Sequence, residues 1–93
     1  MSDDADALDR EALESLHEHL AATAERPVER TASRWLGEAE AVAADARHIE
    51  DPAVARERLG EVVDLLSNVE GTGDETADEH VRAAKQLAAE LTE

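Results

Sequence analysis

The sequence predicts an all-α protein, an up-down-up-down four-helix bundle, from three observations. Apolar residues recur at alternating steps of three and four, which places their side chains on one face of a helix. Ala, the residue with the highest helix propensity, supplies 19 of the 93 residues, while Phe and Tyr are absent and Trp occurs once. Pro27, Pro52 and Gly71 divide the chain into segments of helical length. The main alternative is a three-helix core with a loosely attached first helix.

The first helix is predicted over residues 3–24. Ser2 or Asp6 is the expected N-cap, because a short polar side chain can accept a hydrogen bond from the free backbone N–H groups of the first turn. Asp9 falls within the apolar arc. So near the N-terminus, it is interpreted as an N-cap or part of a frayed turn, since an unpaired buried carboxylate is costly. The residues predicted to face the core are Leu8, Ala12, Leu16 and Leu20, with Ala5 and Leu13 on the flanks.

The second helix is predicted over residues 27–50, and it has the most regular apolar row in the chain. Pro27 is expected to end the first helix and to occupy the first position of the second, because its ring disfavours helical geometry in the residue before it. Trp35 lies in the middle of the row, so we expect it in the core rather than at an interface. The row consists of Val28, Ala32, Trp35, Ala39, Val42, Ala46 and Ile49.

The third helix is predicted over residues 52–70, with Asp51 as its N-cap and Pro52 at its first position. This arrangement makes a tight turn, and short connections favour antiparallel neighbours. Gly71 is the expected C-terminal stop. The predicted core row is Ala55, Leu59, Val62, Leu66 and Val69, widened by Val63 and Leu65.

The fourth helix is predicted over residues 74–92. Its N-cap is either Thr72, in a T-x-x-E capping box with Glu75, or Asp74. The four helices are predicted to form a single domain over residues 1–93. The core row of the fourth helix is Ala77, Val81, Ala84, Ala88 and Leu91, with Leu87 beside it.

The charge of the chain restricts its surface and its partners. Twenty-four acidic residues against nine basic ones give a formal net charge of −15. The acids are spread evenly along a chain that keeps regular apolar rows, which is typical of a folded, solvated surface rather than a disordered acidic tail. Such a surface repels itself at low salt, and molar salt screens most of that repulsion. No nucleic-acid partner is expected, because binding to phosphates needs a basic surface.

The sequence also bears on the compartment. There is no Cys, so disulfides, thiolate metal sites and Cys nucleophiles are excluded. The N-terminal MSDDADALD is acidic, and no continuous apolar segment follows it. A signal peptide and a membrane span are therefore not expected, and a cytoplasmic location is predicted.

Two stretches resemble sequences from a known group of organisms. These are RTASRWLGEAE at residues 30–40 and VEGTGDE at residues 69–75. Together with abundant Ala, a single Lys and acids throughout, they resemble a small uncharacterised protein family of salt-loving archaea. The resemblance covers most of the chain and implies a cytoplasm at molar salt. It implies no activity and no site residues.

The histidines are the first place to look for a metal site. Glu14 with His17 and Asp45 with His48 have the acid-to-His spacing that di-iron bundles use. Such ligands must project into the bundle, whereas His48 lies opposite the apolar row of its helix and His17 lies at the edge of its own. His80 has no acid three residues before it. We therefore predict no metal, no cofactor and no catalytic residue.

A second row on the second helix is the candidate interaction surface. It includes Gly37, which costs a helix roughly 1 kcal/mol relative to Ala and so invites a packing reason. One interpretation is an ordinary solvated face. The other is a small-residue groove, edged by arginines that attract acidic side chains, which receives a partner helix or a second copy of the chain. The row consists of Arg30, Arg34, Gly37, Ala41, Ala44 and His48.

Two classes of function are consistent with these observations. The favoured one is a non-enzymatic protein-interaction or structural module, adapted to high salt, that uses the outer face of the second helix. The alternative is a small metal-dependent or hydrolytic enzyme that uses the surface His/acid pairs at His17, His48 or His80. The sequence names neither a pathway nor a partner.

Overall fold

The computed structural model describes residues 7–93, in which there are four helices and no strand. Each helix packs against two others: the first against the second and fourth, and the third against the second and fourth. The backbones of the two diagonal pairs do not meet. This is the predicted all-α four-helix bundle, and the fold class is confirmed. The helices are α1 (Arg10–Thr23), α2 (Arg30–Ala46), α3 (Pro52–Leu66) and α4 (Glu75–Leu91).

The alternative of a loosely attached first helix is wrong. Leu13, Leu16 and Leu20 of α1 are each at most 1% exposed, and α1 packs closely along α4. Leu13, predicted at the flank of the row, is fully buried, while Ala12, predicted within the row, is only half-buried.

The start of α1 differs from the prediction. Residues 7–9 are not helical, and Asp9 is the N-cap, its carboxylate accepting a hydrogen bond from the Ala12 N–H at 3.0 Å. Residues 7–9, which the prediction included in the helix, therefore precede it, and α1 begins at Arg10. The predicted caps Ser2 and Asp6 and the predicted flank residue Ala5 lie outside the described residues.

The second helix is shorter than predicted at both ends. It begins at Arg30 rather than Pro27, because the Glu29 N–H donates to the carbonyl of Thr72 at 2.8 Å and holds the preceding segment in a non-helical path. It ends at Ala46 rather than Glu50. The segment before α2 is thereby tied to the loop between α3 and α4.

The third helix begins as predicted and ends early. The Asp51 carboxylate accepts from the Ala53 N–H at 2.9 Å, and Pro52 is the first helical residue. The helix ends at Leu66 rather than near residue 70, and the Ser67 hydroxyl donates to the carbonyl of Asp64 at 2.6 Å. Local hydrogen bonds of this kind compete with continued helix.

The fourth helix uses one of its two predicted caps. The Asp74 carboxylate accepts from the Ala77 N–H at 2.9 Å, and the helix begins at Glu75. Thr72 instead lies fully buried in the loop, where its hydroxyl contacts the Asp78 carboxylate at 2.8 Å. Gly73 has a φ of +84°, a conformation that glycine adopts without steric cost.

The predicted core rows of the third and fourth helices are confirmed in full, with each residue at most 6% exposed. The row of α2 is only partly correct. Trp35 and Val42 are half-buried at its edge, and Val28 and Ile49 are half-buried beyond its ends. The buried residues of α2 are Ala32, Leu36, Ala39, Ala43 and Ala46.

Among residues 7–93, none of the helices combines the length and the apolar character that a bilayer-spanning segment needs.

Candidate functional site

The outer face of α2 carries the predicted interaction row. Five of its six residues are exposed, and Ala44 is half-buried. The helical periodicity of the sequence therefore placed this row correctly on the face away from the core. The exposed residues are Arg30, Arg34, Gly37, Ala41 and His48.

Gly37 has no packing partner within the described chain. A Cβ added at this position would meet no atom within 4 Å outside its own stretch of helix. Close approach by another helix of the bundle does not explain the glycine. Gly37 is therefore explained either by a contact outside the described residues or by the absence of any structural requirement at this position.

The concave surfaces next to this row lie on either side of it. Gly37 lines a small cleft between the end of α1 and α2, together with Thr23, the last residue of α1, and Ala24, which follows it. Ala41 lines a wider groove between α2 and α3. We call this the acidic groove, and its lining residues are Glu38, Ala41, Val42, Glu61, Asp64 and Leu65.

The acidic groove differs from the predicted one in charge. The prediction placed arginines at the edge, whereas the carboxylates of Glu38, Glu61 and Asp64 line the groove. Glu61 pairs with Arg58 at 3.0 Å, while the Asp64 side chain has no hydrogen bond or ion pair with any described residue. The floor is apolar, formed by Ala41, Val42 and Leu65. The sequence missed this charge because two of the acids lie on α3.

The basic residues at the start of α2 are largely engaged within the chain. Arg26 makes two hydrogen bonds to the Asp74 carboxylate, at 2.9 and 3.2 Å. Arg34 lies 3.8 Å from the Glu38 carboxylate, and its guanidinium carbon is 5.8 Å from the centroid of the Trp35 ring. These contacts balance the charges of Arg26 and Arg34 within the chain.

The three histidines named as candidate catalysts lie apart. His17 lies between α1 and α2, where its Nδ1 accepts from Arg47 at 3.2 Å and its Nε2 is 3.9 Å from a Glu40 carboxylate oxygen. His48 is exposed beyond the end of α2, and His80 lies on α4. The structure does not bring them into one site.

Arg47 is the centre of the polar contacts beside His17. One of its terminal nitrogens donates to both His17 and Glu14, the latter at 3.3 Å. Its Nε atom is buried and has no hydrogen-bond partner among residues 7–93. The Glu14 and His17 side chains, predicted as a surface acid/His pair, are thus linked through one arginine.

A histidine pair that the sequence did not predict joins α1 to α4. The Nδ1 atoms of His19 and His80 are 2.9 Å apart, and the ring centroids are 5.1 Å apart with an angle of 47° between the planes. A hydrogen bond between them needs one ring that carries a proton on Nδ1 and one that offers its Nδ1 lone pair, so as neutral imidazoles the two rings are different tautomers. Each histidine stands at the edge of an apolar row. The position of a histidine at the edge of an apolar row predicts this contact only when it is already known that α1 packs against α4.

A comparison with protein families places the chain. Residues 12–93 match the family described as Domain of unknown function (DUF8152). The chain belongs to this family. The prediction of an uncharacterised family is confirmed to that extent, and the DUF8152 description assigns no activity to any residue. No curated protein and no solved structure was found to match the chain.

Proposed function

We propose that this protein is a non-enzymatic interaction or structural module, and that the outer face of α2 receives a partner protein or a second copy of the chain. The observation that carries the proposal is Gly37. It lies exposed within α2 and costs roughly 1 kcal/mol relative to Ala, yet no described residue outside its own stretch of helix comes within 4 Å of a Cβ added there. A partner backbone that packs against the bare position is a physical reason to keep it.

The shape beside the row also supports docking. The acidic groove has an apolar floor, and Ala41 belongs both to that floor and to the predicted row. A helix laid along α2 would cover Ala41 and could extend into the groove. In helix-in-groove recognition, the apolar face of a partner helix lies in a groove of this kind.

The enzymatic alternative has weaker support. Catalysis by a histidine needs a free ring nitrogen and a nearby group for it to act with. The Nδ1 of His17 already accepts from Arg47, and His48 lies exposed beyond the end of α2 without a side-chain hydrogen bond or ion pair to any described residue. We therefore favour a module that binds over one that catalyses.

We further propose that the protein works in a cytoplasm at high salt. The support is compositional: 24 acidic residues, a single Lys and a core that contains many Ala residues. A nucleic-acid partner and a membrane do not fit this proposal, because a surface of net charge −15 repels phosphates.

Two substitutions on the row test the docking proposal. Gly37→Leu fills the bare position, and Ala41→Glu puts a charge into the contact. We expect both to abolish self-association, or partner capture if the wild type is monomeric, while helicity is retained. The measurement is sedimentation equilibrium at molar salt, with circular dichroism for helicity.

The matched control is Ala89→Glu, which makes the same change at an exposed position of α4. This variant should associate like the wild type. If both α2 variants associate as strongly as the wild type, the outer face of α2 is ordinary surface and the proposal fails.

A further inference from the structure

We propose that His19 and His80 form a two-ligand site for a divalent cation of the copper(II) or nickel(II) class, which links α1 to α4. The inference is independent of the proposed docking function. It rests on the placement of two imidazoles from different helices with their Nδ1 atoms 2.9 Å apart. Imidazole nitrogen is a preferred ligand of both metals.

The separation of the nitrogens is compatible with a right-angled pair of metal ligands. Two nitrogens that each lie about 2.0 Å from a metal are about 2.8 Å apart at a right angle and about 3.3 Å apart at the tetrahedral angle. The observed 2.9 Å is close to the right-angle value. Right angles between neighbouring ligands are typical of tetragonal copper(II) and nickel(II), whereas zinc prefers tetrahedral sites.

The exchange of the hydrogen bond for the metal requires only a local proton shift. In the metal-free pair one ring carries its proton on Nδ1 and the other on Nε2. To bind a cation through both Nδ1 atoms, the donor ring moves its proton to Nε2 through solvent. Both rings stay neutral and no net proton is released. The rings then turn, so that both lone pairs point to one position beside the line that joins the two nitrogens.

The remaining coordination positions are open to water or to a group from outside the described chain. Within residues 7–93, no cluster of three or more His, Cys, Asp or Glu side chains is arranged to hold a metal. The proposed site is therefore a two-histidine chelate rather than a closed structural centre. Both rings are half-buried, and the hydrogen bond between them already fixes their relative position. A ligand pair positioned in advance loses little conformational freedom when it binds.

The test is a titration of the full chain with copper(II) near neutral pH in a buffer that does not bind metals. Calorimetry gives the stoichiometry, and electron paramagnetic resonance identifies the ligand atoms. We expect one equivalent with a tetragonal spectrum that carries hyperfine structure from two nitrogens. We also expect the thermal midpoint to rise when the metal is added, because the cation joins the first helix to the last.

His19→Gln and His80→Gln should each lose the two-nitrogen spectrum and the rise in midpoint. Glutamine keeps a hydrogen-bonding side chain without the imidazole, so these variants retain a means of holding the interface, and circular dichroism checks their fold. His48→Ala is the control, since it removes an exposed histidine elsewhere and should bind like the wild type. Unchanged copper binding in either glutamine variant would overturn the assignment. Zinc binding tighter than that of nickel would overturn the tetragonal geometry.

Discussion

Arg26 and Asp74 connect two loops at one end of the bundle, the one before α2 and the one before α4. The Asp74 carboxylate accepts two hydrogen bonds from the Arg26 guanidinium and one from the Ala77 N–H. The Arg26 hydrogen bonds, and secondarily the Ala77 N–H, hold the pKa of the Asp74 carboxyl below its ordinary value. The stabilisation from a lowered carboxyl pKa is fully present above the unfolded pKa and is lost as the pH falls through the folded one.

Asp74→Asn tests this linkage. Asn is as good an N-cap as Asp, so the substitution removes the charge pair and keeps the cap. We expect the wild type to be more stable than the variant at neutral pH. The difference should shrink as the pH falls below about 4, near the ordinary pKa of an Asp side chain. Urea unfolding at a series of pH values measures it.

The control for Asp74 is Asp64→Asn on α3. This carboxylate is exposed and makes no hydrogen bond or ion pair with the described residues. Its substitution breaks no contact with a described residue, so at neutral pH it should change the free energy of unfolding less than Asp74→Asn does. A stability difference for Asp74→Asn that stays constant from neutral to acid pH would contradict the linkage.

At the scale of the helix, α2 shows that a periodic row of apolar residues predicts which side of a helix is buried, but not which residues lie at the centre of the buried side. The predicted and observed rows share Ala32, Ala39 and Ala46, and they differ in whether Trp35 and Val42 or their neighbours Leu36 and Ala43 are buried. The predicted row contains the larger residue of each neighbouring pair, Trp35 rather than Leu36 and Val42 rather than Ala43. The bundle instead buries the line that faces both α1 and α3, where small residues allow close packing.

Leu36→Ala measures the contribution of the observed row. Leu36 is 2% exposed, so its truncation should leave a cavity and lower the free energy of unfolding by about 2 to 5 kcal/mol. Leu65→Ala, the same change at a half-buried position of α3, should cost less than half as much, because the site already borders solvent. Urea unfolding of both variants provides the comparison. Equal losses would mean that the two leucines contribute equally to the core.

The candidate sites, like the row of α2, could be predicted from the sequence only in part. Exposure of Gly37 and Ala41 follows from helical periodicity within one segment, so the sequence could predict it. The acidic groove and the His19–His80 contact depend on which helices are neighbours and on how neighbouring helices are aligned along their axes. Glu61 comes near Glu38, and His80 comes near His19, only after the chain has folded. Periodicity within one helix carries no information about these pairings.

At the scale of the whole molecule, the basic residues are mostly engaged and the acidic excess is left on the surface. Arg26, Arg34, Arg47 and Arg58 each form an ion pair with a described carboxylate. Lys85, the single lysine, donates to the carbonyl of Val69 at 2.8 Å, at the end of α3. Among residues 7–93, most of the acidic side chains form no ion pair with a described residue. Compaction therefore brings like charges together.

This unbalanced charge predicts that stability rises with salt. Potassium chloride up to about 1 M should raise helicity and the thermal midpoint by screening, since the Debye length there is only about 3 Å. A surface adapted to salt should continue to gain stability beyond that concentration, where screening alone is nearly saturated. Circular dichroism melts over this range measure both parts.

A variant with fewer charges separates the stability gained by screening from the stability gained above about 1 M salt. Glu57→Gln and Glu79→Gln together remove two exposed carboxylates that make no ion pair or hydrogen bond with the described residues. Because repulsion falls with charge, the double variant should be more stable than the wild type at low salt and gain less from the first increments of potassium chloride. Above about 1 M the two proteins should gain in parallel, since there screening no longer distinguishes them. A wild type that is equally stable at low and molar salt would show that its acidic surface is not an adaptation to salt.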